Sequence, residues 1–192
     1  MHIIGLNGRL GSGKDTVGAY LVERHGFERL SFADKLKESA AALLDVPTAL
    51  LETYKNDDRA TLILSIPDTV GALPPLDLLA IRTFTVREYL QRYGTESHRD
   101  VFGESFWTDQ VLHDLDPNNK YVITDVRFDN ELRAVRACGG EVWRVLRFTG
   151  QVQHEHRSEA EPDYDLIDAY LDNDGSFEHL FGQVDDLIGG KR

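Results

Sequence analysis

The chain opens with an arrangement that few folds can accommodate. An apolar run over residues 2–6 leads into Gly8-Arg9-Leu10-Gly11-Ser12-Gly13-Lys14, and a helix-compatible segment over residues 15–25 follows at once. In the order strand, glycine loop, helix, a G-x-x-x-x-G-K string is a phosphate cradle. Gly11 and Gly13 let the backbone N–H groups, with that of Ser12, turn inward onto phosphate oxygens without Cβ clashes. The helix N-terminus adds roughly half a positive charge at the same place, and Lys14 supplies a mobile full charge for β- and γ-phosphates.

One position departs from the usual string. Where Ser or Thr ordinarily ligates magnesium, this chain has Asp15, with the hydroxyl moved on to Thr16. A carboxylate is also a hard oxygen ligand, so Asp15 and Thr16 remain candidates for the metal.

The rest of the chain continues the alternation. Residues 28–32 read as a short strand and 33–44 as a helix; then 121–125 as a strand ending in a carboxylate, 130–138 as a helix, 141–146 as a strand, 166–171 as a last strand and 176–188 as an amphipathic helix. Five strands alternating with helices predict an α/β fold: a five-stranded parallel sheet with right-handed crossovers and helices on both faces. Ligands of such sheets bind beyond the strand C-terminal ends, where Gly8, Asp34 and Asp125 fall.

Between residues 45 and 116 the pattern loosens around Pro47, Pro67, Pro74 and Pro75, with no convincing strand, and reads as a mainly helical insertion. A polar stretch over 148–162 reads as a lid. The expectation is one domain with core 1–45, 117–147 and 163–192, insertion 46–116 and lid 148–162.

Charge narrows the function classes. A net charge of −12 and a pI near 4.9 oppose non-specific binding to nucleic acid or anionic membrane, so a polyanionic ligand must be met by local arginines. The single Cys138 excludes an internal disulfide and a cysteine metal cluster. No apolar run approaches about 18 residues and no signal segment is visible, which points to a cytoplasmic protein.

Several residues could carry chemistry. Asp125 at its strand end either reaches magnesium through water or caps the following helix. Arg127 either neutralises charge on a transferring phosphoryl group or pairs with Asp129 or Glu131. Arg87, Gln91, Arg92, Thr95, Glu96 and Arg99 cluster, with Arg87 and Gln91 one helical turn apart, and suit either phosphate or base binding or a solvated face. Trp107 suits either base stacking or a core. In the lid, His154 and His156 lack the further ligands of a zinc site, whereas Arg147 and Arg157 suit closure over a triphosphate.

Taken together, the Gly8 to Thr16 loop with Asp after lysine, REYLQRYGTE (87–96), YVITDVRFDNELRAVRACGGEVWRV (121–145), HRSE (156–159) and DNDGSFEHLF (172–181) resemble the deoxynucleoside monophosphate kinases of tailed bacteriophages. The resemblance covers both ends and most of the second half of the chain. It implies the P-loop nucleoside monophosphate kinase fold with core, monophosphate-binding region and lid, ATP and magnesium as co-substrates, a deoxynucleoside 5′-monophosphate as acceptor, and often a homodimer. Carried over by motif, Gly11, Gly13, Lys14, Asp15 and Thr16 match the donor loop. Asp34, Lys37, Arg87, Gln91, Thr95 and Glu96 match the acceptor side, Arg127 matches the arginine after the acidic strand end, and Asn173 to Ser176, with Gly175, match a segment near the donor adenine.

The expected chemistry is in-line phosphoryl transfer, with Lys14, Arg127 and a lid arginine holding the phosphoryl group and Asp15, Thr16 and Asp125 holding magnesium. The nearest alternative is another small-molecule kinase of the same fold, of the phosphomevalonate or dephospho-coenzyme A kinase type; the former also carries a Gly-Lys-Asp loop. A regulatory GTPase needs an N-K-x-D string, and Asn119-Lys120-Tyr121-Val122 has Val where the carboxylate belongs.

Overall fold

The computed structural model describes residues 1–67, 79–148 and 161–190. Contacts divide the chain into two units: Met1–Asp34 with Glu104–Arg192, and Lys35–Gly103.

The first unit is built on five parallel strands: β1 (His2–Asn7), β2 (Glu28–Leu30), β5 (Lys120–Ile123), β6 (Glu141–Leu146) and β7 (Ala169–Asp172), in the order β2-β5-β1-β6-β7. β1 therefore lies between β5 and β6, and Ile4 is in register with both Val122 and Glu141. The chain moves outward from β1 to β2, returns to place β5 alongside, then crosses to β6 and β7. The order reverses at β1, which makes its C-terminal end the switch point where ligands bind.

Both sheet faces are covered because the central strands are apolar on both sides. Ile4 and Leu6 pack with Val17 and Leu21 of α1 (Lys14–His25) and Leu180 and Val184 of α8 (Phe177–Gly189). Ile3, of opposite parity on β1, packs with Leu132 and Val135 of α7 (Asp129–Ala137) and Val111 of α6 (Phe106–Leu112). The expected five-stranded parallel sheet with helices on both faces is what forms. The edges of the elements differ. β5 ends at Ile123, so Thr124 and Asp125 belong to the turn beyond it, and the last strand, expected from Leu166, starts only at Ala169, with Leu166 closing a 3-10 turn, Tyr164–Leu166.

The second unit contains most of α2 (Phe32–Leu43), then α3 (Thr48–Tyr54), strands β3 (Thr61–Pro67) and β4 (Leu79–Thr85), and α4 (Val86–Gly94). A π-turn, Thr95–Arg99, and a single helical turn, α5 (Asp100–Phe102), follow. Ala40, Ala41, Leu51, Val86 and Tyr89 form its core. The strands correct the reading of this stretch as helical: β3 and β4 pair antiparallel, from Thr61 with Thr85 to Pro67 with Leu79. Pro67 marks the last pair of the ladder, where a missing donor is tolerated. The division at 34/35 and 103/104 also differs from the 46–116 boundaries expected of an insertion, and α6 with Trp107 belongs to the first unit. Among the described residues no helix is long and apolar enough to cross a membrane.

Candidate active site

The glycine loop leaves β1 at Asn7 and closes into α1 at Lys14. Two glycines are sterically required. A Cβ on Gly8, at φ +149°, would stand 2.6 Å from both Ser12 Oγ and the Val145 carbonyl, and one on Gly13, at φ +104°, would strike the Asn173 amide. Lys14 folds back across the loop, its Nζ donating to the carbonyls of Gly8 at 2.6 Å and Arg9 at 2.8 Å. Ser12 is 2% exposed, and its Oγ makes no hydrogen bond among the described residues. A buried unpaired hydroxyl costs about 1–3 kcal/mol, and at the base of a tight backbone cradle it suits a site that receives an acceptor-rich ligand such as phosphate. Asp15 is exposed in the first turn of α1 and Thr16 is half-buried behind it.

Buried polar side chains fix this loop. Asn173, expected near adenine, donates from Nδ2 to the Ser12 carbonyl at 2.7 Å, and its N–H donates to the Leu146 carbonyl at 2.8 Å. It is 7% exposed and therefore ties the end of β7 to the loop backbone; Gly175 nearby is exposed. Asn7, the last residue of β1, donates to the Val126 carbonyl at 3.0 Å and accepts from Arg144 Nη1 at 2.6 Å. Arg144, 6% exposed on β6, donates from Nη2 to Glu161 Oε2 at 2.6 Å, an oxygen that also accepts the Tyr164 hydroxyl at 2.6 Å. Glu161 Oε1 accepts from Arg9 Nη2. The Tyr164 hydrogen bond and the Arg9 and Arg144 charges hold the Glu161 carboxyl below the ordinary carboxylate range, against partial burial that pushes it up. The same bond to Glu161, with burial, raises the Tyr164 phenol.

Sequence reasoning did not single out Asn7, Arg144, Glu161 or Tyr164 for the site. The available signal was Arg144 itself, an arginine inside the apolar strand Val142-Trp143-Arg144-Val145, because a guanidinium there must be paired.

Asp125 caps a helix, but not the one expected. Its Oδ1 accepts from the Phe32 N–H at 2.8 Å, and Oδ2 accepts from the Ala33 N–H at 2.9 Å and the Ser31 hydroxyl at 2.7 Å. It therefore caps the first turn of α2 from across the β5 edge, not the helix that follows it in sequence. That following helix is capped by Glu131, whose Oε2 accepts the N–H groups of Arg127 at 2.8 Å and Phe128 at 3.1 Å. With Glu131 so engaged, the exposed Arg127 guanidinium makes no ion pair among the described residues. Arg147 is also exposed, whereas Arg157 lies outside the described residues, as do His154 and His156. Asp34 accepts from Arg29 at 3.1 Å. Trp107 is 3% exposed in α6, so the alternative of a core residue holds over base stacking.

The acceptor-side candidates Lys37, Arg87, Gln91, Thr95 and Glu96 all fall in the second unit. Lys37 pairs with Glu52, which also takes Lys55; burial pushes the Glu52 carboxyl up, but the two lysines hold it lower. Arg87 donates to Asn56 Oδ1 at 2.7 Å. Helix α4 is started by a reciprocal cap, Thr85 Oγ1 accepting the Glu88 N–H and Glu88 Oε2 accepting the Thr85 N–H. It ends in the π-turn that carries Thr95 and Glu96, where Arg92 pairs with Glu96 at 3.5 Å. Single π-turns of this kind are frequent at functional sites.

A parallel sheet of this order, with a glycine loop and its lysine at the switch point, defines an α/β protein of the P-loop kinase-like class. The sequence model of the deoxynucleotide monophosphate kinase family matches residues 77–184. The chain belongs to this family. It is 30% identical to a putative deoxynucleotide monophosphate kinase of Acanthamoeba polyphaga mimivirus over 96% of this chain and 94% of that one. It is also 28% identical to the deoxynucleotide monophosphate kinase of Escherichia phage RB69 and 31% identical to that of Enterobacteria phage T4. Each of these two matches covers 55% of this chain and 46% of the phage protein.

Proposed function

We propose that this kinase transfers the γ-phosphate of ATP to a deoxynucleoside 5′-monophosphate, giving a deoxynucleoside diphosphate and ADP. The observation that carries the reading is the loop: Lys14 donates to the Gly8 and Arg9 carbonyls, and the buried Ser12 hydroxyl of the same loop has no partner among the described residues. A triphosphate entering the cradle takes the Lys14 ammonium from two neutral carbonyls and meets the first N–H groups of α1. The acceptor phosphate oxygen is already anionic near neutral pH, so the protein's work is positioning and charge neutralisation. The Arg127 guanidinium, with no ion pair among the described residues, is suited to charge that builds on the transferring group.

Among the described residues no group of three or more His, Cys, Asp or Glu could hold a metal alone. Magnesium needs only one or two protein oxygens plus phosphates and water. Asp15 and Thr16 would hold the ion, with Asp125 nearby as a further acceptor, and the ion would neutralise phosphate charge. On the acceptor side, Arg87, Gln91, Thr95, Glu96 and Lys37 recognise the monophosphate and its base.

A coupled ADP-release assay with dAMP, dCMP, dGMP and dTMP, and the matching ribonucleotides in parallel, tests the reading. ADP release that depends on an added deoxynucleotide is the expected result; turnover on none of the eight overturns it.

A further inference from the structure

The two residues flanking Gly8 are each pinned, and both pins end on one carboxylate. On one side Asn7 accepts from Arg144 Nη1, and Arg144 Nη2 donates to Glu161 at 2.6 Å; on the other, Arg9 donates directly to Glu161. Gly8 is the residue with the most backbone freedom in the stretch, and its carbonyl, with that of Arg9, receives Lys14 Nζ. From this geometry we infer that Glu161 is a positioning residue for Lys14: by holding Asn7 through Arg144 and Arg9 directly, it fixes the Gly8 and Arg9 carbonyls and so the lysine that meets the donor phosphates.

Three features support a built device over a chance surface contact. Both carboxylate oxygens are used, Oε1 by Arg9 and Oε2 by Arg144 and Tyr164. The Arg144 partner is almost wholly buried and has its guanidinium 5.6 Å from the Tyr164 ring centre, so it cannot follow a loosened loop. The pairing also compensates charge locally: two guanidiniums close to a phosphate cradle share one carboxylate, and Arg9 keeps donors for a ligand. A loop held in its binding geometry spends less of its interaction energy on ordering when the ligand arrives.

The inference rests on the reading of this loop as the ATP site, and the test separates the two. Glu161→Gln, Glu161→Asp, Arg9→Ala and the double variant Arg9→Ala/Glu161→Gln are compared with the full-length wild type. Binding of a non-hydrolysable ATP analogue with magnesium is measured by calorimetry, KM for ATP and for deoxynucleotide by steady-state kinetics, and folding by thermal unfolding. Expected are a roughly tenfold loss of analogue affinity and rise in ATP KM for Glu161→Gln, an unchanged acceptor KM, and partial recovery in Glu161→Asp. Arg9→Ala should weaken analogue binding, and the double variant should bind within about twofold of Glu161→Gln, because the two changes act on one linkage. Glu161→Gln binding the analogue as wild type does, or both KM values rising together with a fallen melting temperature, overturns the inference. If Glu161→Gln does not fold, Arg9→Ala decides: unchanged analogue binding overturns it. A wild type that binds no analogue overturns the ATP reading and this inference with it.

Discussion

The two units hold their polar side chains in opposite ways. In the first, several groups around the loop are buried or half-buried and tied to backbone: Asn173 to Ser12, Asn7 to Val126, Asp125 to Phe32 and Ala33. In the second, Arg87 and Arg92 sit on the exposed face of α4 and pair with other side chains: Arg87 with Asn56 and Arg92 with Glu96. Buried, backbone-anchored polar groups have one available geometry, because an unmade bond there costs the full desolvation of its partner. Exposed pairs contribute about 0–1 kcal/mol and exchange readily for a ligand. On the proposed function, the difference suits rigid charge placement in the first unit and adjustable recognition in the second. Substitutions in the first unit should therefore cost rate or stability, and those in the second should cost mainly acceptor KM.

The largest effect expected is at Trp107. As a buried core residue of α6, its replacement by Ala should destabilise the protein by about 3–5 kcal/mol, read as a fall in the denaturant midpoint. A variant that keeps wild-type stability but loses acceptor binding would return Trp107 to the base-stacking role and blur the division between the units. Next, Lys14→Ala should lower kcat about 10²–10³-fold, the range typical of removing one charge-stabilising donor, with the fold intact. Retention of more than about a hundredth of wild-type turnover sinks the assignment of that lysine.

Asp125 comes third and tests how far a capping carboxylate doubles as a metal neighbour. Asp125→Asn weakens three hydrogen bonds at the start of α2 and should cost about 1–3 kcal/mol of stability. If the carboxylate also takes a metal-bound water, the magnesium concentration for half-maximal rate rises in the same variant. If only stability changes, Asp125 belongs wholly to the scaffold.

How legible each unit was in the sequence follows from the same contrast. The parallel sheet announced itself because its strands are continuous apolar runs punctuated by loops, as at residues 2–6 and 121–123. The glycine loop was readable because its residue types are dictated by backbone geometry. The β3–β4 hairpin was not: Pro67, Pro74 and Pro75 read as breaks, and no tight-turn signal joins the strands, since what fixes them is pairing between Thr61–Pro67 and Leu79–Thr85. The network through Asn7, Arg144 and Glu161 was hidden for a different reason. It links residues more than a hundred positions apart in the chain, and only the adjacency of β1 and β6 brings Asn7 into register with Arg144. Asp125 shows the same limit at one residue: the sequence placed it at a strand end in the ligand crevice, but which N–H groups it serves depended on the β2–β5 pairing.

The smallest effect is the one that best sharpens the comparison. Arg87 lies on the exposed face of α4, held by one hydrogen bond to Asn56. Arg87→Ala should raise the deoxynucleotide KM about tenfold, equivalent to about 1.4 kcal/mol, while ATP KM stays within twofold and the melting temperature within about two degrees, because no buried group loses a partner. Arg87→Lys should recover little of that loss if the guanidinium meets a phosphate with two parallel N–H bonds, since a lysine ammonium is only a point charge. Asn56→Ala separates orientation from charge: it frees the guanidinium without removing it, so its KM effect should be a fraction of the Arg87→Ala effect. A kcat loss in Arg87→Ala as deep as that of Lys14→Ala would mean that this arginine stabilises the transferring group, and that the second unit shares in the chemistry as well as in recognition.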